Sequence, residues 1–235
     1  MPPVKLFTAN ASKADAPHYH EHCEILEAAA PPQLSTGAAL WLDDEGLMLL
    51  NAQLAQPLRL TSTMLERRLG GKSMLLRACG VGNRGSRVLD AFAGFGFDAL
   101  TLMYQGFAVT AVERHPLVWL MLEDFAARLG IDLHSSCADS TSIMATSAQH
   151  WDIVYLDPMF PVRRKQALPN LALQHLQHLC GEVPAAAPLD LEAGLELAQA
   201  CALRRVVLKR RLKDPTLGKP SHQLKGQAVR FDIYV

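Results

Sequence analysis

The stretch from Val88 to Asp98, V-L-D-A-F-A-G-F-G-F-D, constrains the fold more than any other part of the chain. An apolar strand, Arg87-Val88-Leu89, runs into Asp90, Gly94 and Gly96 follow, and a helical pattern resumes from Ala99 to Gln105, where Gly106 can stop it. Glycine lets the main chain approach a ligand that any Cβ would push away, and the amides that open the next helix face that ligand. A strand, a tight glycine turn and a helix in this order belong to a nucleotide-binding α/β unit.

Two ligand classes fit the turn. Gly94-Phe95-Gly96-Phe97-Asp98-Ala99 satisfies the G-x-G-x-x-G/A pattern of dinucleotide binding, so an NAD(P)-dependent oxidoreductase fits it. Asp90, four residues ahead of Gly94, favours instead the D-x-x-x-G-x-G loop of a methyltransferase, which holds the amino-acid end of S-adenosylmethionine (SAM). Glu113 ends the next strand, Phe107 to Val112, where either fold places a carboxylate that hydrogen-bonds a ribose hydroxyl.

Asp157-Pro158-Met159-Phe160 follows the apolar strand Trp151 to Leu156 and narrows the choice. It resembles the [DN]-P-P-[YF] loop of methyltransferases that act on planar exocyclic or amide nitrogens. The lone pair of such a nitrogen is delocalised, so the enzyme must accept the N–H hydrogens, here through the Asp157 carboxylate and the Pro158 carbonyl, and turn the lone pair towards the methyl group. Phe160 can stack on the base. The remainder is alignment for in-line displacement at a sulfonium, where positioning supplies much of the rate and no metal is needed.

With these motifs the chain resembles the bacterial small-subunit ribosomal RNA guanine-N2 methyltransferase J family. The likeness runs from about Arg67 to the C-terminus: Arg67-Arg68-Leu69-Gly70-Gly71, the Asp90 to Asp98 loop, Glu113-Arg114-His115-Pro116, Val154 to Pro161, Arg205 to Arg210, and Arg230-Phe231-Asp232-Ile233-Tyr234. The strings Y-L-D-P-M-F-P and R-F-D-I-Y are its most specific parts. The resemblance implies a 16S rRNA substrate, free or in the small ribosomal subunit, and SAM held by Phe97 and Asp98, Glu113 and Arg114, Asp139 and Ser140, and Asp157, besides Asp90, Gly94 and Gly96 of the loop. Phe97 stands where the family usually has arginine and Asp139 where it usually has serine. The first 60 or so residues match poorly.

Formal net charge is zero, but the charge is segregated. Residues 1 to 60 hold three Lys/Arg against seven Asp/Glu, and residues 201 to 235 hold nine against two. Arg67-Arg68 with Lys72, Arg163-Arg164-Lys165, and Lys209-Arg210-Arg211-Lys213 form three basic groups. The last two follow strands, so they are expected to border the cleft and meet RNA phosphates. The candidate RNA contacts are Arg67, Arg68, Arg163, Arg164, Lys165, Lys209 and Arg210. Solvated surface charge is the plainer alternative for any one of them.

The fold expected is a Rossmann-like class I SAM-dependent methyltransferase. Its mostly parallel seven-stranded sheet, with one reversed strand, has strands near 86–90, 107–112, 131–136, 151–156 and 203–209, closed by a pair near 222–225 and 228–234 that is too close for a crossover helix. Helices are expected over Pro116 to Leu129, with Gly130 as stop, over Asp190 to Ala202, and over Met64 to Cys79 with a break at Gly70-Gly71 and Ser73 capping the second piece. Leu40-Trp41-Leu42 and Leu47 to Leu50 flank a turn and read as a hairpin, to which Pro57 to Thr61 adds a strand. The domain division expected is 1–62, a small β-rich N-terminal subdomain, and 63–235, the methyltransferase domain.

A chain of 235 residues with 49% apolar content can bury a sizeable core. No segment reads as a signal peptide and no apolar run approaches the ~18 residues that cross a bilayer, so the cytoplasm is expected. Five scattered cysteines read as reduced and mostly buried. His18-Tyr19-His20-Glu21-His22-Cys23, read as a strand, puts three imidazoles on one face, a solvated or interface-facing edge rather than a metal site. Trp119, Met121 and Phe125 read as core, His175 and His178 as surface or edge residues, and Val183 to Pro188 as a mobile loop. Competing readings of the whole are an adenine-N6 or protein glutamine-N5 methyltransferase, which would use the same loop, and a non-catalytic RNA-binding protein.

Overall fold

A computed structural model describes residues 3–69, 73–80, 82, 84–146, 150–158, 170–182 and 191–235. Gly70-Gly71, Lys72, Met159, Phe160, the Arg163-Arg164-Lys165 group and the Val183 to Pro188 run lie outside the described residues. In chain order the first elements are β1 (Val4–Thr8), α1 (Pro17–His22), β2 (Cys23–Glu27), β3 (Ala38–Asp43), β4 (Gly46–Asn51), β5 (Leu58–Arg59), α2 (Ser62–Leu69) and α3 (Met74–Cys79). There follow β6 (Arg87–Asp90), α4 (Phe97–Tyr104), β7 (Ala108–Glu113), α5 (Pro116–Arg128), β8 (His134–Cys137), α6 (Ser140–Thr146) and β9 (Trp151–Leu156). The last are α7 (Leu171–Glu182), α8 (Leu191–Cys201), β10 (Ala202–Arg211), β11 (His222–Lys225) and β12 (Val229–Tyr234). The chain forms two compact units.

The first unit comprises residues 3–62, 115–132 and 170–182. Its sheet has five strands in the order β2-β1-β3-β4-β5. The hairpin read from the sequence is β3 and β4, antiparallel with Leu40 opposite Leu49. Its turn is tied by Asp43, which accepts the Glu45 amide at 2.9 Å and an Arg59 guanidinium hydrogen at 2.7 Å. Leu6, Leu40, Leu47, Leu49 and Leu58 are buried in this unit, and α5 packs against β4. Trp119, Met121 and Phe125 of α5 are buried, as expected.

Two expectations in this unit are corrected. The His18 to His22 run is helical, because Pro17 occupies the first turn with its φ already suited to it, and the strand starts only at Cys23. His18 and His22 therefore share a helix face, their rings edge-on to Trp119 at 6.2 and 4.8 Å, while His20 lies 3.9 Å from Asp15. Among the described residues no three His, Cys, Asp or Glu side chains are grouped to hold a metal. His175 is buried rather than peripheral, its Nε2 paired with the Gln56 carbonyl at 2.9 Å, and burial lowers its pKa. The strands β1 and β2 were not expected, although V-K-L-F-T alternates buried and open positions.

The second unit holds a seven-stranded sheet in the order β11-β12-β10-β9-β6-β7-β8. Among the described strands of this sheet β12 alone is reversed, antiparallel to β10 and β11, which is the one reversed strand expected. Its central strand β9 is buried along almost its whole length, as both faces of a parallel sheet are. Val154, Leu156, Leu89, Val206 and Leu208 from three adjacent strands join Leu195 and Ala198 of α8 in one core. Ser73 caps α3 by accepting the Leu76 amide. The strand expected at 131–136 begins only at His134. The preceding residues complete the end of α5: Gly130 takes φ +67°, its amide bonds Ala127, and the Ile131 amide bonds Ala126, a Schellman closure. No described helix is long and apolar enough to cross a membrane.

Candidate active site

The order of the large sheet sets the place of the chemistry. From β6 the chain moves outward to β7 and β8, then returns to the other side of β6 as β9 and β10. Ligands of open α/β sheets bind beyond the carboxyl ends of strands at such a reversal. Asp90 ends β6, Glu113 ends β7 and Asp157 follows β9. Residues distant in sequence thus converge because parallel strands align their ends.

The loop after β6 is held by main-chain bonds to both neighbouring strands. The Ala91 amide donates to the Tyr155 carbonyl at 3.0 Å, and the Ala93 amide to the Val112 carbonyl at 3.0 Å. Gly94 and Gly96 take φ of +55° and +78°, a left-handed backbone that a side chain would strain, and Gly96 caps α4. The Glu113 carboxylate accepts the Gly94 amide at 2.9 Å. Phe95 and Phe97 are buried.

Asp90 is only 1% exposed, and neither of its oxygens finds a donor within hydrogen-bond geometry among the described residues. Burial, followed by the charges of Asp98 and Asp157, raises its pKa well above the ordinary range. A buried acceptor without a donor is costly unless a ligand supplies one.

Asp98, in the first turn of α4, is by contrast fully engaged. Its Oδ1 accepts from Arg68 at 2.6 Å, and its Oδ2 from the Tyr155 hydroxyl at 2.7 Å and from Lys209 Nζ at 3.0 Å. Burial would raise its pKa, but Lys209, Arg68 and the Tyr155 hydroxyl outweigh that and bring it down to about 2. The Arg68 guanidinium also lies over the Phe97 ring, 4.9 Å from its centroid. Lys209 reaches further, to Asp157 Oδ2 at 2.7 Å. Its carboxylate partners overcome its desolvation and keep it firmly protonated. For Asp157 the balance runs the other way: burial and the Asp98 charge exceed the help from Lys209, so its pKa is raised.

Asp139 stands at the start of α6, where its Oδ1 accepts the Thr141 and Ser142 amides at 2.8 and 3.3 Å and the Thr141 hydroxyl. These bonds, more than the Arg114 charge, lower its pKa. Its Oδ2 takes no hydrogen bond from the described residues. Ser140 is buried and Arg114 exposed.

The expected residues thus divide. Asp90, Gly94, Gly96, Phe97, Asp98 and Glu113 surround one loop, and Asp157 joins them through Lys209. Pro158 is buried next to it, and Phe160 lies outside the described residues. Among the expected RNA contacts, Arg67 is exposed at the end of α2, and Arg210 is half-buried, donating to the Pro215 carbonyl at 3.2 Å. Arg68 and Lys209 are spent on carboxylates. Tyr155 was missed as a site residue, since its place inside an apolar strand reads as core.

The R-F-D-I-Y string is explained by the same region. Arg230, 3% exposed, pairs with Asp232 at 2.8 Å and donates to the carbonyls of Arg211, Leu212, Asp214 and Pro215. Tyr234, on the same face of β12, donates to the Leu217 carbonyl at 2.6 Å. Three alternate residues thereby pin the segment that follows β10, and Phe231 on the opposite face stacks on Tyr155 at 6.5 Å.

Known proteins share this fold. The family model of SAM-dependent methyltransferases, SAM_MT, matches residues 31–235. The solved structure of a SAM-dependent methyltransferase from Neisseria gonorrhoeae superposes with a TM-score of 0.73 over 99% of this chain and 96% of that one, at 22% identity. Fold and loop together define a class I SAM-dependent methyltransferase, with SAM as methyl donor. The relative named ribosomal RNA small subunit methyltransferase J in Magnetococcus marinus is 34% identical across 97% of this chain and 95% of its own length. Its namesake in Pseudomonas fluorescens is 37% identical across 87% and 85%. The chain belongs to the ribosomal RNA small subunit methyltransferase J family.

Proposed function

We propose that this protein transfers a methyl group to the exocyclic N2 of a guanine in 16S rRNA, in the cytoplasm, on naked RNA or on the small ribosomal subunit. The observation that carries this reading is the Asp157 carboxylate beyond β9, with Pro158 after it and the glycine loop of β6 alongside. Bound SAM supplies an electrophilic methyl carbon on a sulfonium, whose C–S bond breaks as the C–N bond forms. The residues fit that group: Asp90 offers two unsatisfied acceptors, Glu113 a carboxylate at a strand end, Asp139 a free oxygen, and Gly94 and Gly96 leave room for close approach. In this reading Asp90, Phe97, Asp98, Glu113, Arg114, Asp139 and Ser140 line the donor site.

On the acceptor side, Asp157 and the Pro158 carbonyl take the two amine hydrogens, which turns the nitrogen lone pair out of conjugation and towards the donor. Asp157 is then placed to receive the proton that the methylated nitrogen sheds. Phe160 stacks on the guanine, and extruding that base from its helix costs a few kcal/mol, less in a loop. Arg67, Arg210 and the Arg163 to Lys165 group receive phosphates. Residues 63–235 carry the transfer, with 1–62 as a smaller β-rich part.

The test is methylation of 16S rRNA and of small subunits with methyl-labelled SAM, followed by nucleoside analysis. Label in 2-methylguanosine is the expected result. Label in 6-methyladenosine, or in protein glutamine, would replace the substrate, and salt-sensitive RNA binding without transfer would make the protein a binding module.

A further inference from the structure

Lys209 sits in a K-R-R run after an apolar strand, a pattern that reads as a phosphate contact. In the structure its ammonium is turned inward, with the side chain 19% exposed. The backbone dictates this. Strand β10 is parallel to β9 with Leu208 beside Leu156, so Lys209 falls beside Asp157 one residue further on. On its other side it is paired with Phe231, whose ring stacks on Tyr155. The side chain therefore leaves the sheet between two carboxylates, with Nζ 2.7 Å from Asp157 Oδ2 and 3.0 Å from Asp98 Oδ2.

The two carboxylates are engaged differently. Asp98 accepts from Arg68, Tyr155 and Lys209, on both oxygens. Asp157 accepts from Lys209 alone among the described residues, and only on Oδ2. One of its oxygens is thus fixed and the other is presented. We infer that Lys209 is a positioning residue for methyl transfer, whose ammonium holds Asp157 ionised by one oxygen so that the other can accept the hydrogen of the acceptor amine. The inference rests on the reading of Asp157 given above, and it moves Lys209 from the RNA-contacting surface into the reaction.

The electrostatics require such a residue. Asp157 is faced by Asp90 at the end of β6, by Asp98 and Arg68 across the glycine loop, by the Tyr155 hydroxyl from β9 and by Lys209 from β10, with Cys79 of α3 behind Asp90 and Asp98. Three neighbouring carboxylates repel one another, and burial adds to the cost of their charge. Arg68 is committed to Asp98 Oδ1, which leaves Lys209, among the described residues, as the cation bonded to Asp157. A protonated Asp157 could not accept an amine hydrogen on the protonated oxygen, so the rate must fall as pH drops through its pKa. Removing Lys209 moves that pKa up and the acid limb of the rate with it.

The experiment uses the full chain and its Lys209→Met, Lys209→Gln and Lys209→Arg variants. Single-turnover transfer from labelled SAM to 16S rRNA is followed from acid to alkaline pH, SAM affinity is measured by calorimetry, and the Asp157 carboxyl is titrated by carbon-13 NMR with Asp157→Asn for assignment. Lys209→Met and Lys209→Gln are expected to lower the rate about tenfold or more at neutral pH and to shift both the acid limb and the NMR titration upward by about one pH unit or more, as loss of a close opposite charge does. SAM affinity should change only a few-fold, and Lys209→Arg should restore the acid limb. An unmoved Asp157 titration in the Met and Gln variants overturns the inference even if the rate falls, and so does a loss confined to SAM affinity. The NMR titration needs no turnover, so it judges Lys209 separately from the substrate: wild-type protein that leaves guanine unmethylated refutes the proposed function while the Asp157 titration still decides the pairing.

Discussion

The Glu113 carboxylate accepts the Gly94 amide at 2.9 Å, joining the end of β7 to the glycine loop that follows β6. The bond holds the carboxylate while the strand end holds the backbone, which fixes the side chain beside the loop. Glu113→Ala removes the bond to the loop and, on the proposed reading, a carboxylate of the donor site. A hydrogen bond to a charged group contributes about 1.5–3 kcal/mol, so SAM binding is expected to weaken about ten- to a hundredfold. Calorimetry checks this, and an unchanged dissociation constant would take Glu113 out of the donor site.

Arg230 and Asp232 form an ion pair with 3% and 0% of their side chains exposed. Asp232→Ala leaves a buried guanidinium without its counter-charge, and breaking a buried pair from one side costs about 3–5 kcal/mol. Urea unfolding should show a loss of that order. Arg230→Met is expected to be comparably harmful for a second reason: it takes a donor from the carbonyls of Arg211, Leu212, Asp214 and Pro215. Hydrogen exchange over residues 212–217 should quicken in that variant more than in the strands of the opposite edge. Uniform exchange across the sheet would show that the clamp is not local.

What was legible in the chain was what neighbours in sequence decide. Asp90, Gly94 and Gly96 announce their turn because the backbone conformation they need belongs to a few consecutive residues, and β9 is visible as an apolar run before Asp157. Lys209 was not legible, since its partners Asp157 and Asp98 stand 52 and 111 residues away and only the order of the sheet brings them together. Arg230 looked specific without a reason, because its acceptors are carbonyls, and a carbonyl leaves no mark in a sequence. The His18 to His22 run failed differently: alternation of histidines imitates a strand, and the one residue that spoke for a helix was Pro17. His175 looked like a helix-surface histidine until Gln56, 119 residues away, supplied its bond.

Gly46 opens β4 at φ +95°, and a Cβ there would stand 2.4 Å from Arg128 Nε and 2.7 Å from Asp124 Oδ1. Those two side chains are themselves paired at 2.8 Å, and Arg128 also donates to the Leu60 carbonyl at 3.0 Å. Gly46→Ala therefore combines left-handed strain with a clash against a fastened arginine, and is expected to cost more than the ~1–3 kcal/mol of strain alone. Gly37→Ala isolates that strain, for Gly37 has φ +67° and open space around the added carbon. Thermal or urea unfolding of the two variants should rank Gly46→Ala as the worse. Equal losses would show that Arg128 yields freely.

On the proposed reading, Asp90 sets stability against donor binding. Its folded pKa is raised well above 3.8, so between 3.8 and that raised value the folded protein holds a proton the unfolded chain has released. Stability then declines as pH rises, by about 1.4 kcal/mol for each unit inside that window, and the penalty is complete above it. Asp90→Asn keeps the shape and cannot ionise. It is expected to flatten this slope and to make the SAM-free protein more stable than wild type at neutral pH, as seen by urea unfolding. The same change replaces an acceptor oxygen with an amide hydrogen, so on the proposed reading SAM should bind more weakly and protect less against heat. A variant that gains stability without losing SAM affinity would leave Asp90 as a buried acid with no ligand. One that loses stability at neutral pH would show that the carboxylate is not carrying the cost of burial assigned to it.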